Sequence, residues 1–195
     1  MKKWLTSVRV EAQNYLRHLA GMLLPGVKVT VPIVHTTKPL TLEKWEDAGL
    51  QSVIDEGRRQ LDRQSARFDR VRTSAQLLFT TALGLLVVMA ASAHRVLMRD
   101  YALVIAWVFG LVVVAIGVLG AAALLTVQSE FGAIDTALLT YSGPNPLRPL
   151  AEAYSQQVRT GEDTVAARVT VYRDAVWLVL LGASVQLVVW LTTIS

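Results

Sequence analysis

The sequence predicts an all-α integral membrane protein with three transmembrane helices, a long cytoplasmic helical extension and an N-terminal amphipathic helix. Of its 195 residues 53% are hydrophobic and only 17% are charged, with a mean hydropathy of +0.43, a combination that is rare in soluble domains. The apolar residues are concentrated in three long blocks without Asp, Glu, Lys or Arg. A bilayer is therefore expected around these blocks.

The three blocks have the length of membrane spans, at about 74–94, 101–128 and 175–195. About 20 residues at 1.5 Å each cross the roughly 30 Å hydrocarbon layer. The first two spans are joined by a loop at 94–100, so they are predicted to form an antiparallel hairpin. Buried helices of a soluble protein are disfavoured, because the rest of the chain has too little amphipathic sequence to cover them.

The distribution of Lys and Arg predicts the orientation in the cell membrane. Residues 1–73 carry 13 of them, the loop 94–100 carries 2 and residues 129–174 carry 4. The positive-inside rule therefore places the N-terminus and segment 129–174 in the cytoplasm, and the loop and the C-terminus outside.

Residues 1–40 are predicted to form an amphipathic helix and an extended linker. Up to Leu23, apolar residues recur at helical spacing opposite a basic face. This apolar stripe lies either in the membrane interface or against the protein's own cytoplasmic helices. The alternation from Val27 to Ile33 predicts one short strand, either paired between subunits or simply extended.

Residues 41–128 are predicted to form a long cytoplasmic helix that continues into the hairpin, with Thr41 as its N-cap. Apolar residues follow two heptad series, which are Ile54, Leu61, Phe68 and Ala75, and Leu50, Gly57, Gln64, Val71 and Leu78. Such a series predicts a contact with another helix. An autonomous coiled coil does not follow, because Gly57 and Gln64 weaken the series.

Four arginines, Arg59, Arg63, Arg67 and Arg70, lie at spacings that place them on one stripe of this helix. One hypothesis is an anion or lipid contact, because guanidinium groups bind phosphate oxygens as planar forks. The other is a solvated face next to the membrane that enforces topology.

Residues 129–174 are predicted to form a cytoplasmic helical segment. The turn-rich stretch 141–146 should break the preceding helix. We expect Pro149 to begin a short helix that Gly161 closes, and Asp163 to cap the last helix, which continues into the third span.

Small residues in the spans predict close helix packing, at Gly117, Gly120 and Ala121 in the second span and at Gly182 in the third. Such residues let helices approach closely in lipid. Packing within the chain and packing between subunits explain them equally well.

Gln186 is the strongly polar side chain in the middle of the third span. In hydrocarbon its amide needs a hydrogen-bond partner on another helix or subunit, or a wet lumen. Thr80 and Thr81 are candidate partners, although a threonine hydroxyl can also bond within its own helix.

The sequence contains no pattern for catalysis, cofactor binding or metal binding. There is no cysteine, and His18, His35 and His94 lack a second ligand at helical spacing. No nucleotide-binding, metalloprotease or serine-hydrolase motif occurs, so we expect no enzyme activity. The net charge of +4 follows from membrane topology, and no nucleic-acid partner is expected.

The stretch EGRRQLDRQSARFDRVRTSAQLLFTTALGLLVVMAA, from Glu56 to Ala91, followed by a tight loop and a second span, resembles small bacterial SLATT-type membrane effectors. The resemblance covers residues 41–128 and rests on layout and charge pattern. It implies a pore-forming role, often under nucleotide control in defence against phage. The third span and the insert 141–174 depart from that family's layout.

Together these features predict a non-enzymatic, homo-oligomeric membrane protein that perturbs the bilayer or conducts across it in response to a cytoplasmic signal. The alternative is an accessory or scaffold subunit that anchors a larger membrane complex.

Overall fold

The computed structural model describes residues 13, 15, 45–126 and 146–194. Apart from Gln13 and Tyr15, which are both helical, these residues form three α-helices and no β-strand. The helices are α1 (Asp47–Leu97), α2 (Tyr101–Thr126) and α3 (Leu147–Ile194). Each is long and apolar enough to cross a membrane, which confirms the all-α class with three candidate spans. The predicted strand at 27–33 and the predicted break at 141–145 lie outside the described residues.

Helix α1 begins at Asp47, so the prediction of an N-cap at Thr41 is wrong. Trp45 and Glu46 are not helical, and the Glu46 carbonyl accepts the first bonds, from Gly49 N at 2.9 Å and Leu50 N at 3.0 Å. The Trp45 ring lies over the first turn, where a Cβ on Gly49 would stand 3.0 Å from Trp45 Cε3. This apolar contact fixes where the chain enters the helix.

The loop between α1 and α2 is only three residues long. The Asp100 carbonyl accepts the first bonds of α2, from Leu103 N at 2.9 Å and Val104 N at 3.3 Å. Trp107 Nε1 donates to the Met89 carbonyl of α1 at 3.2 Å, so the two helices pack side by side. The predicted hairpin is therefore confirmed.

Helix α3 is continuous from Leu147 to Ile194, so the predicted interruption at Gly161 and Asp163 is wrong. The helix also begins before Pro149, because the Pro146 carbonyl accepts from Leu150 N at 3.3 Å. Gly161 costs about 1 kcal/mol relative to alanine inside a helix. Here the missing Cβ leaves room for the side chain of Gln64, so the glycine serves packing instead of ending the helix.

The described residues fall into two compact units. The polar unit comprises residues 45–70 and 146–167, and its core is Leu50, Ile54 and Ala151. The apolar unit comprises residues 13, 15, 71–126 and 168–194. It has two core clusters, one around Ala75, Leu124 and Val171, and one around Ala82, Met89, Val114 and Val179.

In the polar unit α1 and α3 run parallel in a fixed register. Gly57 of α1 faces Tyr154 of α3, and Gln64 faces Gly161. Moving seven residues along one helix thus moves the contact seven residues along the other. The predicted interhelical contact is confirmed, and its partner is the chain's own last helix.

The heptad series that contains Ile54 continues in the apolar unit. Ala75, Ala82, Met89 and Val96 are seven residues apart on α1 and are all buried. A sustained spacing of seven is typical of helices that pack with a slight left-handed supercoil.

Candidate functional site

The strongest polar feature of the apolar unit is a hydrogen-bonded cluster that joins its three helices. Gln186 of α3 is 6% exposed, and its Nε2 donates to Ser92 Oγ of α1 at 3.2 Å. Trp107 Nε1 of α2 contacts the same oxygen at 3.3 Å. Ser92 Oγ donates in turn to the Met89 carbonyl at 2.7 Å. We call these four residues the glutamine cluster.

Neither candidate partner of Gln186, Thr80 or Thr81, bonds to it, and Thr80 follows the alternative of a bond within its own helix. Thr80 Oγ1 instead donates to the Gln76 carbonyl of its own helix at 2.8 Å, and Thr81 is exposed. A threonine hydroxyl can satisfy itself within its own turn, whereas an amide in hydrocarbon needs a partner on another helix. Ser92, which faces α3, is that partner.

One polar atom of the glutamine cluster lacks a hydrogen-bond partner among the described residues. Gln186 Oε1 is buried and accepts no hydrogen bond from the described residues. Beside it lies a groove of about 400 Å³ between α1 and α3, lined by Ser92, Gln186, Arg95 and Trp190 together with apolar side chains. The groove therefore combines a buried acceptor with a cation.

Helices α2 and α3 come into backbone contact at their glycines. A Cβ on Gly182 would overlap the Val114 side chain and stand 3.0 Å from the Gly110 carbonyl oxygen. A Cβ on Gly117 would stand 2.8 Å from Val179 Cγ2 and 3.2 Å from the Ala175 carbonyl oxygen. Small residues at these positions are thus used inside the chain.

Gly120 and Ala121, the other small residues of the predicted packing set, are also buried. A Cβ on Gly120 would overlap the hydroxyl of Tyr15, which donates to the Ile116 carbonyl at 3.3 Å. Burial, with a smaller contribution from the nearby Asp174 carboxylate, raises the pKa of Tyr15 from 10.0 to about 12. The phenol therefore stays protonated and keeps its hydrogen bond at neutral pH.

The polar unit is held by two matched contacts. Gln64 is buried, and its Nε2 donates to the Val158 carbonyl at 2.9 Å. Its Oε1 lies against Gly161 and accepts no hydrogen bond within the part of the chain that the structure describes. One heptad earlier, a Cβ on Gly57 would stand 3.0 Å from Tyr154 Cβ. In each contact a glycine of one helix thus packs against a large side chain of the other.

Arg58 adds a polar contact at the edge of the Gly57 and Tyr154 pair. Its Nε donates to Tyr154 Oη at 3.1 Å, and its guanidinium carbon stands 5.6 Å from the centre of the ring. The hydrogen bond to Tyr154 raises the pKa of Arg58. This geometry combines a hydrogen bond with a cation–π contact.

The four arginines predicted as an anion or lipid contact, Arg59, Arg63, Arg67 and Arg70, all lie exposed on α1. Arg59 Nη1 is 3.9 Å from Glu56 Oε2, and both side chains are largely exposed. Exposed pairs of this kind contribute at most about 1 kcal/mol. The stripe is available to solvent and to anions.

Four polar or aromatic residues of these contacts were not identified from the sequence, namely Arg58, Ser92, Trp107 and Tyr154. The heptad series that contains Gln64 and Leu78 reaches Ser92 when it is continued by two further steps of seven. Trp107 lies on α2 and Tyr154 on α3, outside the heptad series of α1, so no such signal points to them.

These features define the class as an all-helical protein whose three long apolar helices fit a membrane-embedded fold. Among the described residues, no three His, Cys, Asp or Glu side chains come together as metal ligands. No known protein family, curated protein or solved structure matches the chain.

Proposed function

We propose that the chain is a non-enzymatic, multi-pass membrane effector that assembles into oligomers and perturbs or conducts across the bilayer in response to a cytoplasmic signal. The observation that carries this proposal is the continuity of α1 and α3. Each helix passes without a break from a charged sequence into a charge-free one. An unbroken helix transmits rotation or translation along its length, since its backbone bonds run through every turn.

The composition of the spans supports a passive role over a pump. Their charge-free windows lack the intramembrane Asp, Glu, Lys or Arg on which proton relays and voltage sensors depend. A pore assembled from several copies requires no charged residue within the spans. The resemblance to SLATT-type effectors points to the same role.

Release of a dye from liposomes tests the proposal. Purified protein reconstituted into dye-loaded vesicles should release the dye with a steep dependence on the protein-to-lipid ratio, because assembly precedes leakage. Chemical cross-linking in the same vesicles should trap oligomers. Protein that releases no dye and migrates as a monomer in detergent would refute the effector function.

A conservative substitution tests control by the cytoplasmic helices. Tyr154→Phe removes the oxygen that accepts from Arg58 and leaves the spans unchanged. If the polar unit governs leakage, the protein-to-lipid ratio at half-release should shift. Gln60→Ala, which removes only a surface bond to Glu56 at 3.2 Å, is the matched control and should leave that ratio unchanged.

A scaffold subunit is the second candidate, and the packing of the small residues favours it. Gly110, Gly117 and Gly182 are occupied by contacts within the chain, so these residues are not free to join subunits. A scaffold releases no dye when expressed alone, and it co-purifies in stoichiometric amounts with a partner in its native membrane.

A further inference from the structure

The groove between α1 and α3 in the apolar unit has the size of a ligand site. Its volume of about 400 Å³ lies within the roughly 300–1,000 Å³ of small-molecule pockets. The apolar side chains of Val88 and Leu187 line it and are more than half exposed. These apolar walls fit an acyl chain. A surface that only contacted the tails of bilayer lipids would need no polar group, whereas this groove contains several.

A cation lies at the loop end of the groove. Arg95 belongs to the last turn of α1, is exposed and lines the groove. Within the described part of the chain it forms no ion pair. Its guanidinium presents the fork of donors that phosphate oxygens accept. Trp190, an aromatic residue of the type enriched at membrane interfaces, lines the same groove.

A buried acceptor lies one turn deeper. Ser92, which holds the Gln186 amide, is three residues before Arg95, a rise of about 4.5 Å along the helix. Gln186 Oε1 accepts no hydrogen bond from any residue that the structure describes, so it can take a donor that a ligand brings. The amide reaches a ligand by a turn about its last side-chain bond, which has a broad range, and this turn exchanges the Nε2 bond to Ser92 for a bond from the ligand to Oε1.

A ligand that matches this groove carries an anion at one end, a hydroxyl about one helical turn deeper and a single apolar chain. One class of lipid has these three features. We propose that the groove binds a lysophospholipid, with its phosphate on Arg95, its free glycerol hydroxyl donating to Gln186 and its acyl chain along Val88 and Leu187. A diacyl phospholipid has that hydroxyl esterified and carries a second chain. A monoacylglycerol has no phosphate. The site is independent of whether the chain forms a pore or a scaffold.

Quenching of tryptophan fluorescence by brominated acyl chains tests the proposal on the full chain in detergent micelles. We expect a brominated monoacylglycerol phosphate to quench at about tenfold lower concentration than a brominated diacyl phosphatidic acid or monoacylglycerol, the ratio for loss of one good hydrogen bond or charge contact. Trp190→Phe should remove most of that quenching, because Trp190 lines the groove and the other tryptophans that the structure describes, Trp45, Trp107 and Trp177, do not.

Two substitutions separate the polar contacts. Arg95→Gln should weaken binding of the monoacylglycerol phosphate about tenfold and remove its advantage over the monoacylglycerol. Gln186→Leu should leave the phosphate preference and abolish the preference for the monoacylglycerol phosphate over an alkyl phosphate of equal chain length. Arg59→Gln, in the polar unit, is the matched control and should change neither preference.

Three outcomes would overturn the lysophospholipid site. These are equal quenching by all four lipids, tighter binding of the diacyl lipid, and quenching that persists undiminished in Trp190→Phe. The lipid series on the unmodified protein gives the first two results without any variant, so a folding defect cannot hide them.

Discussion

Gln186 and Ser92 are 94 residues apart in the chain, yet the amide of one donates to the hydroxyl of the other inside the apolar unit. The serine oxygen also accepts a hydrogen bond from Trp107 Nε1, and its hydroxyl donates to the Met89 carbonyl. Its hydrogen-bonding capacity is thus in use, whereas no described residue donates to Gln186 Oε1. The two residues therefore contribute unequally to stability.

Substitutions in the glutamine cluster should reveal this inequality. Ser92→Ala leaves both Nε2 and Oε1 of Gln186 without a hydrogen-bond partner among the described residues. It should lower the free energy of unfolding by about 0.5–2 kcal/mol. Gln186→Leu removes the unmet acceptor together with the donor and should be nearly neutral or stabilising. Unfolding in mixed micelles, followed by circular dichroism, measures both changes. A larger loss for Gln186→Leu than for Ser92→Ala would contradict the assignment.

The contact between Gly182 and Gly110 predicts a strong effect of one added methyl group. Gly182→Ala should lower the free energy of unfolding by about 1–3 kcal/mol, because the new Cβ meets the backbone of α2, which cannot move aside. Gly84→Ala is the matched control, since a Cβ there meets nothing within 4 Å. It should be neutral or stabilise by up to about 1 kcal/mol. Equal effects of the two changes would disprove the close approach.

A double-mutant cycle tests the pairing of Gln64 with Gly161. In the native background Gly161→Ala should destabilise, because the added Cβ displaces an amide that is bonded to the Val158 carbonyl. In a Gln64→Ala background the same change should stabilise by about 1 kcal/mol, the helix propensity difference. The coupling should therefore reach about 1 kcal/mol or more. Additive effects would show that Gln64 and Gly161 are not in contact.

Single cysteines test the proposed topology against a background that contains none. Met98→Cys in the exposed loop should react with a membrane-impermeant maleimide in intact cells. Ser65→Cys, exposed on α1, should react only after permeabilisation. The reverse pattern would invert the orientation. Replacing the four arginines of the stripe with Gln should raise the reactivity of Ser65→Cys in intact cells if they enforce topology.

Tyr15 predicts a stability change at high pH. Its native pKa of about 12 exceeds the ordinary value of 10.0, so between these values the unfolded state binds fewer protons than the native state. The stabilisation is therefore complete below pH 10 and is lost as the pH rises towards 12. Ultraviolet titration should show late ionisation of one of the five tyrosines, and Tyr15→Phe should remove that late step. Ionisation of all tyrosines near pH 10 would contradict burial of Tyr15.

Much of the fold could be predicted because it follows from local composition and spacing. A charge-free block of about 20 residues has few alternatives to a helix that spans lipid. The two heptad series, one through Ile54 and one through Gln64, likewise identified the face of α1 that meets another helix, because the period sets which residues share that face.

The errors came from residues whose role depends on a distant partner. Gly161 was expected to end a helix because glycine is common there, but Gln64 gives that glycine a packing role. Ser92 was not considered as a partner of Gln186 for a related reason. Depth in a span is readable from the sequence, whereas rotation of one helix against another is set by packing along its whole length.

The alternation of glycine and large side chain between α1 and α3 restricts how the two helices can move. A slip by one heptad would bring Tyr154 against Gln64, two bulky groups at one level, and would place Gly57 opposite Leu147, about two turns earlier on α3. Such a slip is therefore unfavourable. Because each helix contributes one glycine and one large side chain to these two contacts, an axial movement of one helix should move the other with it.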